Sequence, residues 1–188
     1  MERPSQIPEH AVCVFRGVLF DVYQWEQELF DGSTKTFEYL SRKHGAFVVP
    51  VLENGNLLMT IDEQPGRAPK LTFPGGGVED GESPETGAKR EFLEETGYAA
   101  EELVPWLITK PVAKIHWFVH CYIGRKCKKV SEPQVDPGER ITVKEITFDE
   151  FIDLADNPQF QYSLLVPELL RAKYDPKARE LLRSKLLG

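Results

Sequence analysis

The sequence predicts an α/β sandwich of mixed β-sheets, and three observations support this fold class. Short apolar runs rich in β-branched and aromatic residues alternate with Gly, Pro, Asn and Asp turns across residues 12–73. One helix pattern follows at 84–96, and more strand patterns and then helical segments come after it. Strand-rich halves around one central helix, with helices at the end, indicate sheets that are covered by helices.

The N-terminal part, residues 1–43, is predicted to form an antiparallel β-meander, distinct from a main domain at 44–188. Its strand patterns run from Val12 to Phe15, from Leu19 to Phe30 and from Thr34 to Leu40, with a turn at Asp31-Gly32. A meander of this size is not stable alone in water. We therefore expect it to pack on the main domain or on a second subunit.

The main domain shows a succession of strand patterns interrupted by the central helix. Strands are predicted at 46–52, 57–61, 71–73, 103–109, 115–123 and 140–147. Loops are predicted at 62–70 and 124–139, and helical segments near 148–155 and 163–187. His116 and His120 would then share one face of a strand, where we assign them no functional role.

Composition excludes several classes of protein. The net charge of −7 argues against a nucleic acid or an anionic membrane bound through a basic surface. Three cysteines without C-x-x-C spacing suggest neither a disulfide framework nor a zinc site. The N-terminal residues have no apolar signal core, and the longest apolar run, 46–52, is too short to span a bilayer. A cytoplasmic protein is expected by elimination.

The most informative stretch, residues 76–98, reads GGVEDGESPETGAKREFLEETGY. Ser83 is a suitable N-cap, Pro84 suits the first helical position, and Gly97 suits the left-handed position after a helix. One helix is therefore expected over 84–96.

The predicted helix places three carboxylates on one face, because Glu91, Glu94 and Glu95 are spaced i, i+3 and i+4. Adjacent like charges destabilise a bare helix, and a hard cation such as Mg²⁺ or Mn²⁺ would stabilise them. Arg90 can reach Glu82 or Glu94 and hold a carboxylate in place. The alternative is a solvated acidic face, but Glu82 and Arg90 in register with a glycine run favour a metal site.

This stretch resembles the complete Nudix box. The fixed positions that it fills are Gly76, Glu82, Arg90, Glu91, Glu94, Glu95 and Gly97. The resemblance implies a Nudix-type α/β/α sandwich and a Mg²⁺-dependent hydrolase (Mn²⁺ is possible). It also implies that the backbone carbonyl of Gly75 joins Glu91, Glu94 and Glu95 as a metal ligand.

The flanking segments resemble the ADP-ribose and ADP-sugar pyrophosphatase branch of Nudix hydrolases. They are the segment GSTKTFEYLSR at 32–42, the loop that contains Gln64 and Arg67, and DPGE at 136–139. In that branch the meander is exchanged in a homodimer and supplies residues to the partner's site.

The resemblance assigns substrate-binding roles to five residues. Phe37, with Trp25 as a second stacking face, would stack on adenine, and Glu38 would bind its amino group. Arg42 would contact the phosphates. Arg67 would also bind the substrate, but the loop at 62–70 is offset from the usual Gln-x-Arg spacing, which leaves open the group that it contacts. The alternative is simple strand packing for Phe37 and Trp25, and a surface charge for Arg42.

The expected catalytic residues are Glu139, Glu94 and Arg90, with Glu139 as the carboxylate that accepts a proton from water. Glu132 and Glu91 are the alternatives for that role. The expected reaction splits the pyrophosphate bond of a nucleoside diphosphate linked to X, with ADP-ribose giving AMP and ribose 5-phosphate. Other substrates (GDP-mannose, NADH or a dinucleoside polyphosphate) and a non-catalytic nucleotide-sugar sensor remain alternatives.

Overall fold

The computed structural model describes residues 6–135 and 137–188. Its first sheet contains the N-terminal meander. The strands of the meander are β1 (Val12–Arg16), β2 (Asp21–Glu28) and β3 (Thr34–Ser41), paired antiparallel in that order.

The second sheet is larger and mixed. The remaining strands are β4 (Gly45–Leu52), β5 (Leu57–Glu63), β6 (Lys70–Thr72), β7 (Gly75–Gly77), β8 (Tyr98–Ala99), β9 (Glu102–Thr109), β10 (Ile115–His116), β11 (Val119–Lys129) and β12 (Arg140–Ile146). All of them except β10 belong to the second sheet, whose main path runs β12-β5-β4-β11-β8. Strands β4 and β11 pair in parallel, and β5 pairs antiparallel with both β4 and β12.

Helices cover both faces of this sheet, as the sequence predicts. The helices are α1 (Pro84–Thr96), α2 (Phe148–Asp153), α3 (Val166–Tyr174) and α4 (Pro176–Leu187), and a 3₁₀ turn follows α2 at Leu154–Asp156. Side chains alternate along β4, so Phe47 and Val49 enter the core against α2, α3 and α4. Ala46 and Val48 enter a second core that contains Phe92 of α1.

Two neighbouring segments of the chain pass from the first sheet into the second. In one of them, β3 of the meander sheet is followed by β4 of the larger sheet. In the other, β10 pairs parallel to β3, and the chain continues through Trp117 into β11, which pairs parallel to β4. The predicted single strand at 115–123 was therefore wrong, because two residues intervene and each part joins a different sheet. His116 and His120 consequently lie in different sheets.

Two other sequence predictions need correction. Residues 124–129 continue β11 instead of starting a loop, because this part pairs with β8 and β9 and buries Cys127 while its lysines stay exposed. The predicted helix at 163–187 is divided at Asp175, which is extended (φ −123°, ψ 111°) because a residue before proline disfavours helical dihedrals.

Strand β1 and the turn after it carry apolar side chains on the surface. The exposed ones are Val12, Val14, Phe15, Val18 and Leu19. On its inner side the meander has a small core of its own, formed by Ile7, Ala11, Tyr23 and Tyr39. In the described part of the chain, no helix has the length and apolar character needed to cross a membrane.

Candidate active site

Helix α1 begins and ends at the residues that the sequence predicts. The Ser83 side chain accepts a hydrogen bond from the Thr86 N–H at 3.1 Å, and Pro84 occupies the first turn. Gly97 ends the helix with φ +73°, and its N–H donates to the Leu93 carbonyl at 2.8 Å. These caps fix the residues at which the helix begins and ends.

Arg90 connects this helix to the loop before it. Its Nε and Nη2 donate to the two carboxylate oxygens of Glu82 at 3.1 and 3.2 Å. Its Nη1 donates to Glu91 at 3.0 Å and to Glu94 at 3.1 Å, and Nη2 also reaches the Gly77 carbonyl at 3.0 Å. The bond from Arg90 lowers the pKa of Glu82. Arg90 is thus a scaffold that orients acidic side chains.

Glu95 and Glu91 are the more buried carboxylates of the site. Burial raises the pKa of Glu95 to about 8, although its Oε2 accepts a hydrogen bond from the Gly75 N–H at 3.0 Å. Burial also raises the pKa of Glu91. Gly76 permits the close approach of the loop, because a Cβ there would lie 2.5 Å from Glu91 Oε1.

The acidic residues fit a hard divalent cation by their chemistry and environment. Across residues 6–135 and 137–188, no three acidic, histidine or cysteine side chains already converge as a metal cluster. Arg90 contacts one carboxylate oxygen of Glu91 and one of Glu94, which leaves the other oxygen of each side chain for the ion. The donors are oxygen atoms only, which suits Mg²⁺ or Mn²⁺. A nearby cation would also stabilise the charges of Glu91 and Glu95, whose pKa values are raised.

Two adjoining cavities meet at this acidic face. The larger, of about 510 Å³, is lined by these predicted residues: Arg42, Arg67, Gly75, Glu95 and Glu139. The smaller, of about 340 Å³, is lined by these: Arg90, Glu91, Glu94, Glu95 and Glu139. Glu95 and Glu139 line both cavities, so a ligand in the larger one would lie beside the acidic cluster.

The predicted adenine-binding residues line neither cavity. Trp25 and Phe37 are neighbours on β2 and β3, with ring centroids 5.9 Å apart. Trp25 donates to the Gln27 side chain at 3.0 Å, and Glu38 accepts from the Gln24 side chain at 2.8 Å. One chain therefore brings Arg42 and Arg67 to the acidic face, but not these three residues.

Arg42 lies between two aromatic rings at the wall of the larger cavity. Its guanidinium carbon is 4.6 Å from the Trp117 ring centroid and 5.3 Å from that of Phe20. Its Nε is buried without a hydrogen-bond partner among the described residues, and burial lowers the pKa of Arg42. This half-buried cation suits an anionic ligand group.

Glu139 is better placed than Glu132 to act on a bound ligand. Its charge contributes to the raised pKa values of Glu91 and Glu95, which shows that it lies close to both. Glu132 is exposed, pairs with Lys129 at 2.8 Å, and lines neither cavity. Asp136, part of the same predicted motif, lies outside the described residues.

Sequence reasoning missed the segment that closes the larger cavity from the C-terminal side. Gln161, Tyr162 and Ser163 line it, and the Tyr162 ring stacks on Phe47 with centroids 3.9 Å apart. The Tyr162 hydroxyl donates to the Phe73 carbonyl at 3.0 Å. This segment has no periodic hydrophobic pattern. The one sequence signal that could have indicated a role in the site is the presence of aromatic residues within a polar stretch.

The fold and this acidic helix define a hydrolase of the Nudix type. The family described as NUDIX domain matches residues 42–166, and the chain belongs to that family.

The chain is also similar to curated relatives and to a solved structure. The chain is 28% identical over 148 residues to ADP-ribose pyrophosphatase of Bacillus subtilis (strain 168), covering 77% of this chain and 80% of the relative. It is 30% identical over 142 residues to methanol dehydrogenase activator of Bacillus methanolicus, covering 73% and 76%. A crystal structure of an ADP compounds hydrolase is similar with a TM-score of 0.71 at 21% identity, covering 95% of this chain and 100% of that chain. At that identity the structural likeness shows the fold.

Proposed function

We propose that this Nudix hydrolase cleaves the pyrophosphate bond of a nucleoside diphosphate linked to X, with ADP-ribose giving AMP and ribose 5-phosphate. One observation carries the proposal: Glu95 of the box and Glu139 line both cavities, so the acidic face adjoins the cavity that also contains Arg42 and Arg67. The similarity to an ADP-ribose pyrophosphatase supports the choice of substrate.

Glu91, Glu94 and Glu95, with the carbonyl of Gly75, would hold Mg²⁺ or Mn²⁺. When bound, such an ion neutralises phosphate charge and lowers the pKa of a water molecule. The protein's own groups supply the rest. Arg42 and Arg67 bind the phosphates, which fixes the scissile bond at the acidic face. Glu139 accepts the proton of the attacking water, and Arg90 keeps the carboxylates oriented.

We further propose a homodimer in which the meander supplies base recognition to the site of the other subunit. Trp25 and Phe37 would stack on adenine and Glu38 would bind its amino group, while Arg42 acts beside them. Two observations support this arrangement: these three side chains line neither cavity of their own chain, and β1 exposes a row of apolar residues.

The test is a turnover assay with Mg²⁺ on ADP-ribose, ADP-glucose, GDP-mannose, NADH and diadenosine polyphosphates, in which mononucleotide release is measured. A variant with both Glu94→Gln and Glu95→Gln should lose activity on ADP-ribose, and so should the wild type in excess chelator. Glu85→Gln is the matched control, because Glu85 lies on the same helix, and among residues 6–135 and 137–188 its one ion pair is with exposed Lys89. Binding of a nucleotide sugar without turnover of any substrate would contradict the proposal and favour a sensor.

A further inference from the structure

Gln64 connects the cavity wall to Glu139 through side-chain hydrogen bonds. Its Nε2 donates to Asp62 Oδ2 at 3.3 Å and to Glu139 Oε1 at 3.2 Å. Its Oε1 accepts from Arg67 Nη1 at 3.3 Å. The amide nitrogen thus donates to two carboxylates, and the amide oxygen accepts from a guanidinium group.

The orientation of this amide follows from its partners. A guanidinium group can only donate and an ionised carboxylate can only accept. The Gln64 oxygen must therefore face Arg67, and the nitrogen must face Asp62 and Glu139. A flipped amide would place oxygen against two carboxylates, so the network permits one arrangement.

Sheet register brings Gln64 and Glu139 together. Strands β5 and β12 pair antiparallel, with Arg140 opposite Glu63 and Ile141 opposite Asp62. Continuing the same ladder by one position places Glu139 opposite Gln64. Since side chains alternate along a strand, Gln64 lies on the same face as Asp62, which is the face that borders the larger cavity.

We propose that Gln64 is a positioning residue, which holds the Glu139 carboxylate over the acidic face in the geometry needed for proton transfer. The inference rests on the proposed function, in which Glu139 accepts the proton. Glu139 follows Pro137 and Gly138, which lie in a loop. Strand β12 begins at the next residue, Arg140. Gln64 directly follows β5, so its side-chain contact connects the Glu139 carboxylate to the end of a paired strand.

Electrostatics explain why a neutral amide suits this position. The charges of Glu139 and Asp62 each contribute to the raised pKa of Glu95, so another acid at position 64 would add repulsion. A cation there would pair with Glu139 and compete with its role as a base. An amide donates to both carboxylates without adding charge.

The experiment uses the full chain with Mg²⁺ and ADP-ribose, and compares Gln64→Leu, Glu139→Gln and the double variant. Gln64→Leu should lower kcat about 10- to 100-fold, because misplacement of a catalytic group by about 1 Å has an effect of this size. Its KM should change less than the KM of Arg67→Ala. In the double variant, Gln64→Leu should add almost no loss to that of Glu139→Gln, since the two residues act in one step.

A second readout does not depend on activity. Amide hydrogen exchange in residues 138–142 should be faster in Gln64→Leu than in the wild type. Gln159→Leu, which changes an exposed glutamine outside both cavities, should leave exchange and kcat unchanged.

The outcomes separate the two proposals. If the wild type hydrolyses none of the panel, the proposed function fails and this role fails with it. If the wild type is active and Glu139→Gln is not, a Gln64→Leu variant with wild-type kcat would overturn the role alone. Losses that multiply in the double variant, or full activity in Glu139→Gln, would also overturn it.

Discussion

Arg90 joins helix α1 to the preceding loop with one guanidinium group, and its removal should affect both stability and catalysis. Arg90→Lys keeps the charge but cannot make the two-pronged contact with Glu82. We expect a decrease of about 1–3 kcal/mol in the free energy of unfolding, the size of hydrogen bonds to charged groups. We also expect kcat to fall by about tenfold or more, since misoriented ligands weaken transition-state stabilisation.

Chemical denaturation and steady-state kinetics would measure these effects. Lys89→Met is the control, because Lys89 is adjacent in sequence but makes an exposed pair with Glu85. Its effect should stay within about 0.5 kcal/mol. Equal losses in both variants would show that the contacts of Arg90 have no special importance.

Glu95 should make the metal-free protein less stable as pH rises. Its pKa is raised to about 8 in the folded protein from the ordinary 4.5. A group with a raised folded pKa contributes its full stabilisation below the unfolded value and loses it as pH rises through the folded value. In chelator, Glu95→Gln should therefore gain stability relative to the wild type from about pH 5 to pH 8, while its turnover with Mg²⁺ is lost.

Thermal unfolding in chelator at several pH values would measure this difference. Added Mg²⁺ should then raise the melting temperature of the wild type and not that of Glu95→Gln, because ligands stabilise only the form that binds them. A difference in stability between the wild type and Glu95→Gln that stays constant from about pH 5 to pH 8 without metal would contradict the prediction.

At the scale of elements, α1 could be predicted to the residue because its signals are local. Ser83, Pro84 and Gly97 determine where the helix begins and ends, whatever surrounds it. The division of 115–123 between two sheets could not be predicted, because it depends on the separate positions of β3 and β4. Strand β7 was missed for a similar reason: the glycine run pairs with β4 only because a distant strand lies beside it.

Gly97 should be the least replaceable residue at the end of α1. A Cβ at this position would collide with the Ser131 carbonyl, and φ of +73° disfavours any L side chain. Its own carbonyl accepts from the N–H groups of Val130 and Ser131 at 2.8 and 3.1 Å. Gly97→Ala should therefore destabilise the protein by more than the roughly 1 kcal/mol of the backbone penalty alone.

Gly81→Ala isolates the contribution of the collision. Gly81 has φ of +83°, but a Cβ there would meet no atom within 4 Å. The difference between the two variants in unfolding free energy then measures the contact with Ser131. If the two losses were equal, the close approach between α1 and this loop would not matter for stability.

At the scale of the whole molecule, the sequence predicted the site residues that a motif places on one helix. It did not predict the site residues that come from several separate segments. Glu91, Glu94 and Glu95 follow from helical spacing alone. Trp117 reaches the cavity from one segment, and Gln161 and Tyr162 reach it from another, which only the folded chain brings together. Their sequence neighbourhoods contain no spacing rule, so no local pattern could have identified them.

Subunit complementation would test whether one site uses residues from two chains. One variant carries Trp25→Ala and Phe37→Ala, and the other carries Glu95→Gln, so each alone should have little activity on ADP-ribose. Loss of base stacking weakens binding by roughly 1–3 kcal/mol per base. If the site is shared in a two-fold dimer, mixed dimers restore one complete site, or about a quarter of all sites after equal mixing. The two variants are mixed, unfolded and refolded together. If each site is built from a single chain, this treatment restores no activity. Phe15→Glu, which places a charge on the exposed apolar row of β1, should then abolish the restoration by preventing association, and gel filtration would show the monomer.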